Sequence, residues 1–235
     1  MWTQTLSLNK TYDKEFGYLL REVAQLSNIS YAVEKSRDRL FVTVAFEDVN
    51  SEAVTKEIKK IIHNIILIFF KYNHLTENTN KEITLPLFAL YAALIFFEAE
   101  EDHIVINNSL KNVRDFAIDA LFLFKIHSVL IKWNELIKLA DNLLAMNPSD
   151  DDILNVVAFL SDLQENKKEI TVSYNKGYTV ARHEMLNAFD DERHNLLLTV
   201  ISLKPSKIVI ESITDAEILK ILSKIAKISI ATPEQ

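Results

Sequence analysis

Hydrophobic and polar positions change period several times along the chain. Trp2, Gln4, Leu6 and Leu8 share one face of an extended segment, with Thr3, Thr5 and Ser7 on the other, and this predicts a half-buried strand. Thr11 or Asp13 can cap a helix carrying Phe16, Leu19, Leu20, Val23 and Leu26 at helical spacing. Ile29–Glu34 and Leu40–Phe46 are rich in β-branched and aromatic residues, and the polar Lys35-Ser36-Arg37-Asp38 separates them, so they predict a hairpin. The N-terminal unit is therefore read as β-α-β-β.

Asn50 or Ser51 opens a longer helix with Val54, Ile58, Ile61, Ile62, Ile65 and Phe69 on one stripe. Ile66, Ile68 and Phe70 fill the opposite side, so the end of this helix must be buried all round. A second apolar helix is expected over about Leu85–Ala99. A third helical region is expected over Ser109–Met146, broken between Lys125 and Lys132. Beyond Pro148, Ile153–Leu160 is read as a strand from its β-branched content, joined to a strand at Ile170–Tyr174 by a turn at Glu165, Asn166, Lys167 and Lys168. Helices at Ala181–Ala188 and Glu192–Leu203, a strand at Lys207–Glu211, a helix at Asp215–Ala226 and a strand at Lys227–Ile230 complete the reading. The fold class is α+β: an N-terminal βαββ layer, a helical middle and a mixed C-terminal part. The candidate segments are 1–73, 83–147 and 148–235, either separate or packed as one compact unit.

Composition narrows the chemistry. The chain has no cysteine, which removes disulfides, thiolate metal sites, iron–sulfur clusters and cysteine nucleophiles. Its only glycines, Gly17 and Gly177, lie far apart, so no phosphate-binding loop, dinucleotide fingerprint or nucleophile elbow can be written. The N-terminus lacks the basic and long apolar regions of a signal peptide, and the cytoplasm is the expected location. The uncharged run Ile83–Phe97 is fifteen residues long and contains Pro86, short of the about 20 that a spanning helix needs. Both it and Ile61–Phe70 are read as buried core helices.

Several clusters are candidates for chemistry. His183-Glu184 begins like a zinc-protease pattern, but Asn187 stands where the second histidine belongs. His194 is eleven residues from His183 and could join it only across a helix break near Asp190. His183, Glu184 and His194 are thus metal candidates against the simpler reading of hydrogen-bonded surface histidines. His63 and His127 lie in apolar runs, where satisfied core or boundary histidines are expected. Glu98, Glu100, Glu101 and Asp102 are placed at a helix C-terminus, where the macrodipole disfavours them and a basic partner would suit them. Asp150–Asp152 lack the spacing of a calcium loop, and Asp190, Asp191 and Glu192 suit a helix N-terminus.

A net charge of −7 argues against nucleic acid, although Lys167, Lys168, Tyr174, Lys176, Tyr178 and Arg182 mix cations with aromatics. Lys220, Lys224 and Lys227 lie opposite Ile218, Leu219, Leu222 and Ile225, and form a candidate membrane or partner surface.

The run Leu196-Leu197-Leu198-Thr199-Val200-Ile201-Ser202-Leu203-Lys204-Pro205-Ser206-Lys207-Ile208-Val209-Ile210 resembles the helix, proline and basic-flanked strand near the end of the YtxC-like family of putative sporulation proteins. Ala216–Ile230 is similar to that family's closing helix and strand, Ile106–Phe116 with the helix after it to its middle segment, and Ile153–Tyr174 to its paired strands. Asn107-Asn108-Ser109-Leu110-Lys111 departs from the family's arginine and aromatic pattern. The resemblance implies a spore-forming bacterial source and a role around sporulation. It carries over no functional residue.

The expectation is a non-catalytic interaction or structural protein with no catalytic residue, no cofactor and an unknown protein partner. The alternatives are a peripheral membrane-surface protein and a metal-dependent hydrolase. Oligomeric state is left open.

Overall fold

The computed structural model describes residues 1–79, 81–111, 115–164 and 168–231, without the side chain of His127. The fold is α+β, as the pattern predicts. The chain divides into two compact units, Met1–His74 with Glu98–Glu135, and Leu75–Phe97 with Leu136–Gln235. The helical middle, 83–147, contributes to both.

The first unit holds a four-stranded sheet. Strands β1 (Trp2–Asn9), β2 (Ile29–Lys35), β3 (Arg39–Phe46) and β4 (Phe116–Ala117) run in the order β2-β3-β1-β4, antiparallel except for the β1–β4 pair. Leu6 and Leu8 of β1 and Leu40, Val42, Val44 and Phe46 of β3 point to one face and are buried there, each stabilising the fold by roughly 1.5–3 kcal/mol. Helix α1 (Asp13–Ala24) packs on that sheet and also meets α2 (Ser51–Asn64). The hairpin turn is where the sequence places it: the Ser36 amide donates to the Arg39 carbonyl at 2.9 Å.

The run after α2 is buried all round, as expected, and adopts a π-helical turn at Ile65–Phe70 before α3 (Lys71–Thr76). The wider turn shifts the phase of the helix. Lys71 is brought inside, where its Nζ lies 2.7 Å from Asp102 Oδ2. The Trp133 indole donates to the same oxygen at 3.0 Å. Burial pushes the Lys71 ammonium below its usual range, and Asp102 opposes that.

Helix α4 (Leu85–Phe96) is buried on every side and belongs to the second unit. It ends at Phe97, and Glu98 takes a left-handed conformation with φ 52° before α5 (Ala99–Leu110) begins. This corrects one expectation. Glu100, Glu101 and Asp102 stand in the first turn of a new helix, where the dipole favours them, and not at the C-terminus of the previous one. The expected third helical region is divided into β4, α6 (Ile118–Lys125) and α7 (His127–Ala145), with the break at Ile126.

In the second unit, β5 (Lys168–Tyr174), β6 (Tyr178–Val180), β7 (Pro205–Glu211) and β8 (Lys227–Ile230) run in the order β6-β5-β7-β8. β5, β7 and β8 are parallel, linked through α9 (Glu192–Leu203) and α10 (Ala216–Ile225). Two expectations fail here. Ile153–Leu160 is not a strand but part of α8 (Asp150–Asp162), started by a capping box between Ser149 and Asp152. Ala181–Ala188 is not a helix; the Leu186 amide bonds to Thr199 Oγ1 of α9, and just beyond the segment the Phe189 amide and carbonyl bond to Asn195. Of the turn expected at Glu165, Asn166, Lys167 and Lys168, the first three lie outside the described residues and Lys168 opens β5; β6 was not foreseen.

Among the described residues seven that are not glycine have positive φ, namely Asn28, Glu98, Asn147, Lys176, Arg182, Lys204 and Ser212, while neither glycine does. Glycine scarcity therefore removes the glycine-rich fingerprints but not the sharp corners. No described helix is long and apolar enough to cross a membrane.

Candidate functional site

Helix α2 buries Val54, Ile58, Ile61 and Ile62, which leaves its polar residues to line a cleft. That cleft, about 790 Å³, lies in the first unit and is bounded by Trp2, by Glu52, Lys56, Glu57, Lys59 and Lys60 of α2, and by His63, His103 and Asn107. His103 and Asn107 are four residues apart on α5 and so lie one above the other. Both reach His63. Its Nδ1 is 3.1 Å from Asn107 Oδ1, its Nε2 is 2.5 Å from His103 Nδ1, and the two rings lie within 15° of parallel. With Asn107 Oδ1 accepting, the His63 proton sits on Nδ1 and Nε2 keeps its lone pair for the His103 N–H. Burial, reinforced by His103, pushes the His63 imidazole down to about 4, so it is neutral at pH 7.

A second cleft, about 700 Å³, lies in the second unit beyond the carboxyl ends of β5 and β7. It is lined by Tyr174, Tyr178, Asp190, Asp191, Glu192, Arg193 and Asp215, among others. Its acids have structural work. Asp191 caps α9 by accepting from the Arg193 amide at 2.8 Å and also pairs with the Arg193 guanidinium. Asp215 caps α10 through the Glu217 and Ile218 amides. Burial, with Asp215 beside it, pushes the Tyr178 hydroxyl up to about 12.

Edge strand β2 offers a different kind of surface. Every residue from Ser30 to Lys35 is exposed, and its outer edge meets no other strand among the described residues. Tyr31 pairs with Val44 and Val33 with Val42, so both lie on the core face of the sheet, yet they are 47% and 42% exposed. The buried face thus continues onto a strand whose side chains stay largely open to solvent.

The residues singled out in the sequence are scattered. His183 follows β6, where its amide bonds to the Val180 carbonyl, and Glu184 comes next in the irregular stretch. His194 stacks on Phe88 with ring centroids 3.9 Å apart, and burial lowers its proton affinity. Among the described residues no group of three or more His, Asp or Glu is placed to hold a metal ion. Lys220 reaches Asp151 and Lys224 reaches Asn155, each at 2.8 Å, both on α8, and the apolar face of α10 is buried. Lys227 is exposed at the start of β8.

Of the cation and aromatic stretch, Lys167 lies outside the described residues, and Tyr174 and Tyr178 line the cleft with the carboxylates. His63 is a buried, hydrogen-bonded histidine, one of the two expected settings; the side chain of His127 lies outside what is described. The partnership of His63 with His103 and Asn107 was missed, because α5 was not foreseen as a separate helix. The acidic first turn followed by His103 and Asn107 four residues apart was the available signal. No family model, curated protein or solved structure matches the chain.

Proposed function

We propose that the chain is a non-catalytic interaction protein that receives an extended segment of a partner protein along the outer edge of β2. One observation carries this reading: a seven-residue edge strand without proline exposes Tyr31 and Val33 on the face that is core in the neighbouring strands. An edge of that kind is a template for strand addition, with main-chain hydrogen bonds supplying affinity and alternate side chains supplying specificity. Its resemblance to the YtxC-like family supports a partner made during sporulation.

The test is Tyr31→Glu with Val33→Glu. Both side chains are about half exposed and pair across the strands with Val44 and Val42, so each change should cost on the order of 1 kcal/mol. Cross-linking in a sporulating host should capture a defined partner with the wild type and lose it with the double variant, whose circular dichroism should be unchanged. Identical capture by the two proteins would refute the proposal.

A further inference from the structure

We propose that His63 Nε2 and His103 Nδ1 form a binding site for a late first-row divalent metal ion, zinc or copper(II), at the wall of the cleft between α2 and α5. Three observations converge on it. Two ring nitrogens on different helices face each other, 2.5 Å apart. The other nitrogen of His63 is held by Asn107 Oδ1, the outer hydrogen bond that fixes the tautomer and orients an imidazole ligand. The pair also lines an open cleft, so water or an added ligand can complete the coordination.

Imidazole nitrogen suits zinc and copper. Bonds of about 2.0–2.1 Å at a tetrahedral angle set two ligand nitrogens about 3.3 Å apart. The pair must then open by less than about 1 Å while each lone pair turns by about 35° off the line between the nitrogens, and His103 is only partly buried. The proton balance is simple. His103 gives up the proton on Nδ1 and takes one on Nε2, so both rings stay neutral and two lone pairs face the ion. The chain supplies two ligands, below the three-residue clusters that are absent among the described residues, and the site is an open one. This inference is independent of the β2 edge.

Calorimetric titration of the metal-free full chain with Zn²⁺ should show one equivalent bound. That equivalent should be lost in His63→Gln with His103→Gln and retained in His183→Gln with His194→Gln. Asn107→Leu should weaken binding about tenfold. Cu²⁺ should quench the fluorescence of Trp2, which lines the same cleft, by an amount that disappears in Trp2→Phe. Electron paramagnetic resonance of the wild-type Cu²⁺ complex needs no variant and should show directly bound imidazole nitrogen. Zinc binding that survives in the His63/His103 double variant, no uptake in excess ion, or a copper spectrum with oxygen ligands alone would each overturn the site.

Discussion

At the scale of single residues, burial pushes both His63 and Lys71 toward their neutral forms, and Asp102 opposes the shift far more directly at Lys71. For His63 the consequence is a dependence of stability on pH. Its folded value, about 4, lies below its ordinary 6.5, so the unfolded chain takes up the proton first. The stabilisation is complete above pH 6.5 and is lost as pH falls through that window towards 4. The full loss is at most about 3 kcal/mol. Urea unfolding at pH 7 and near pH 4, with a chelator present, should show a steeper acid loss for the wild type than for His63→Leu. Equal losses would mean that His63 is no more reluctant to protonate in the folded chain. None of this partnership is local: His63 and His103 stand 40 residues apart, so the sequence could mark His63 as a core or boundary residue but could not name what it touches.

At the scale of elements, the legible parts were those with one clean period and a local start signal. β1, α1, β2 and β3 were read in order, and α9, α10 and β8 stand close to their expected bounds. The failures have physical causes. Ile153, Val156 and Val157 favour a strand, but the Ser149–Asp152 box supplies partners for helix-end groups that a strand reading leaves out of account. Ser149→Ala should therefore cost about 1 kcal/mol in chemical denaturation, and a loss within error of zero would remove the cap from this explanation. Residues 181–188 were expected as a helix, yet the Leu186 amide goes to Thr199 on a later helix, as the Phe189 amide and carbonyl just beyond go to Asn195. A window shorter than that separation has no access to them.

At the scale of the molecule, the second unit is discontinuous. Its buried helix α4 packs against α8 and α9 and comes from residues that precede the rest of the unit by some forty positions. Residues 136–235 expressed alone should lack a cooperative thermal transition, because the apolar surfaces that α4 covers would lie open to water. A sharp melt from that fragment would contradict this. The seven left-handed corners have a wider consequence. Asparagine tolerates the conformation, but at Glu98, Lys176, Arg182, Lys204 and Ser212 the Cβ is crowded against its own backbone by on the order of 1–2 kcal/mol, only partly returned by the unfolded-chain entropy that glycine would add. The natural sequence sits short of the thermal tolerance its own backbone path allows, and that margin is spread over several surface bends and not stored in one place.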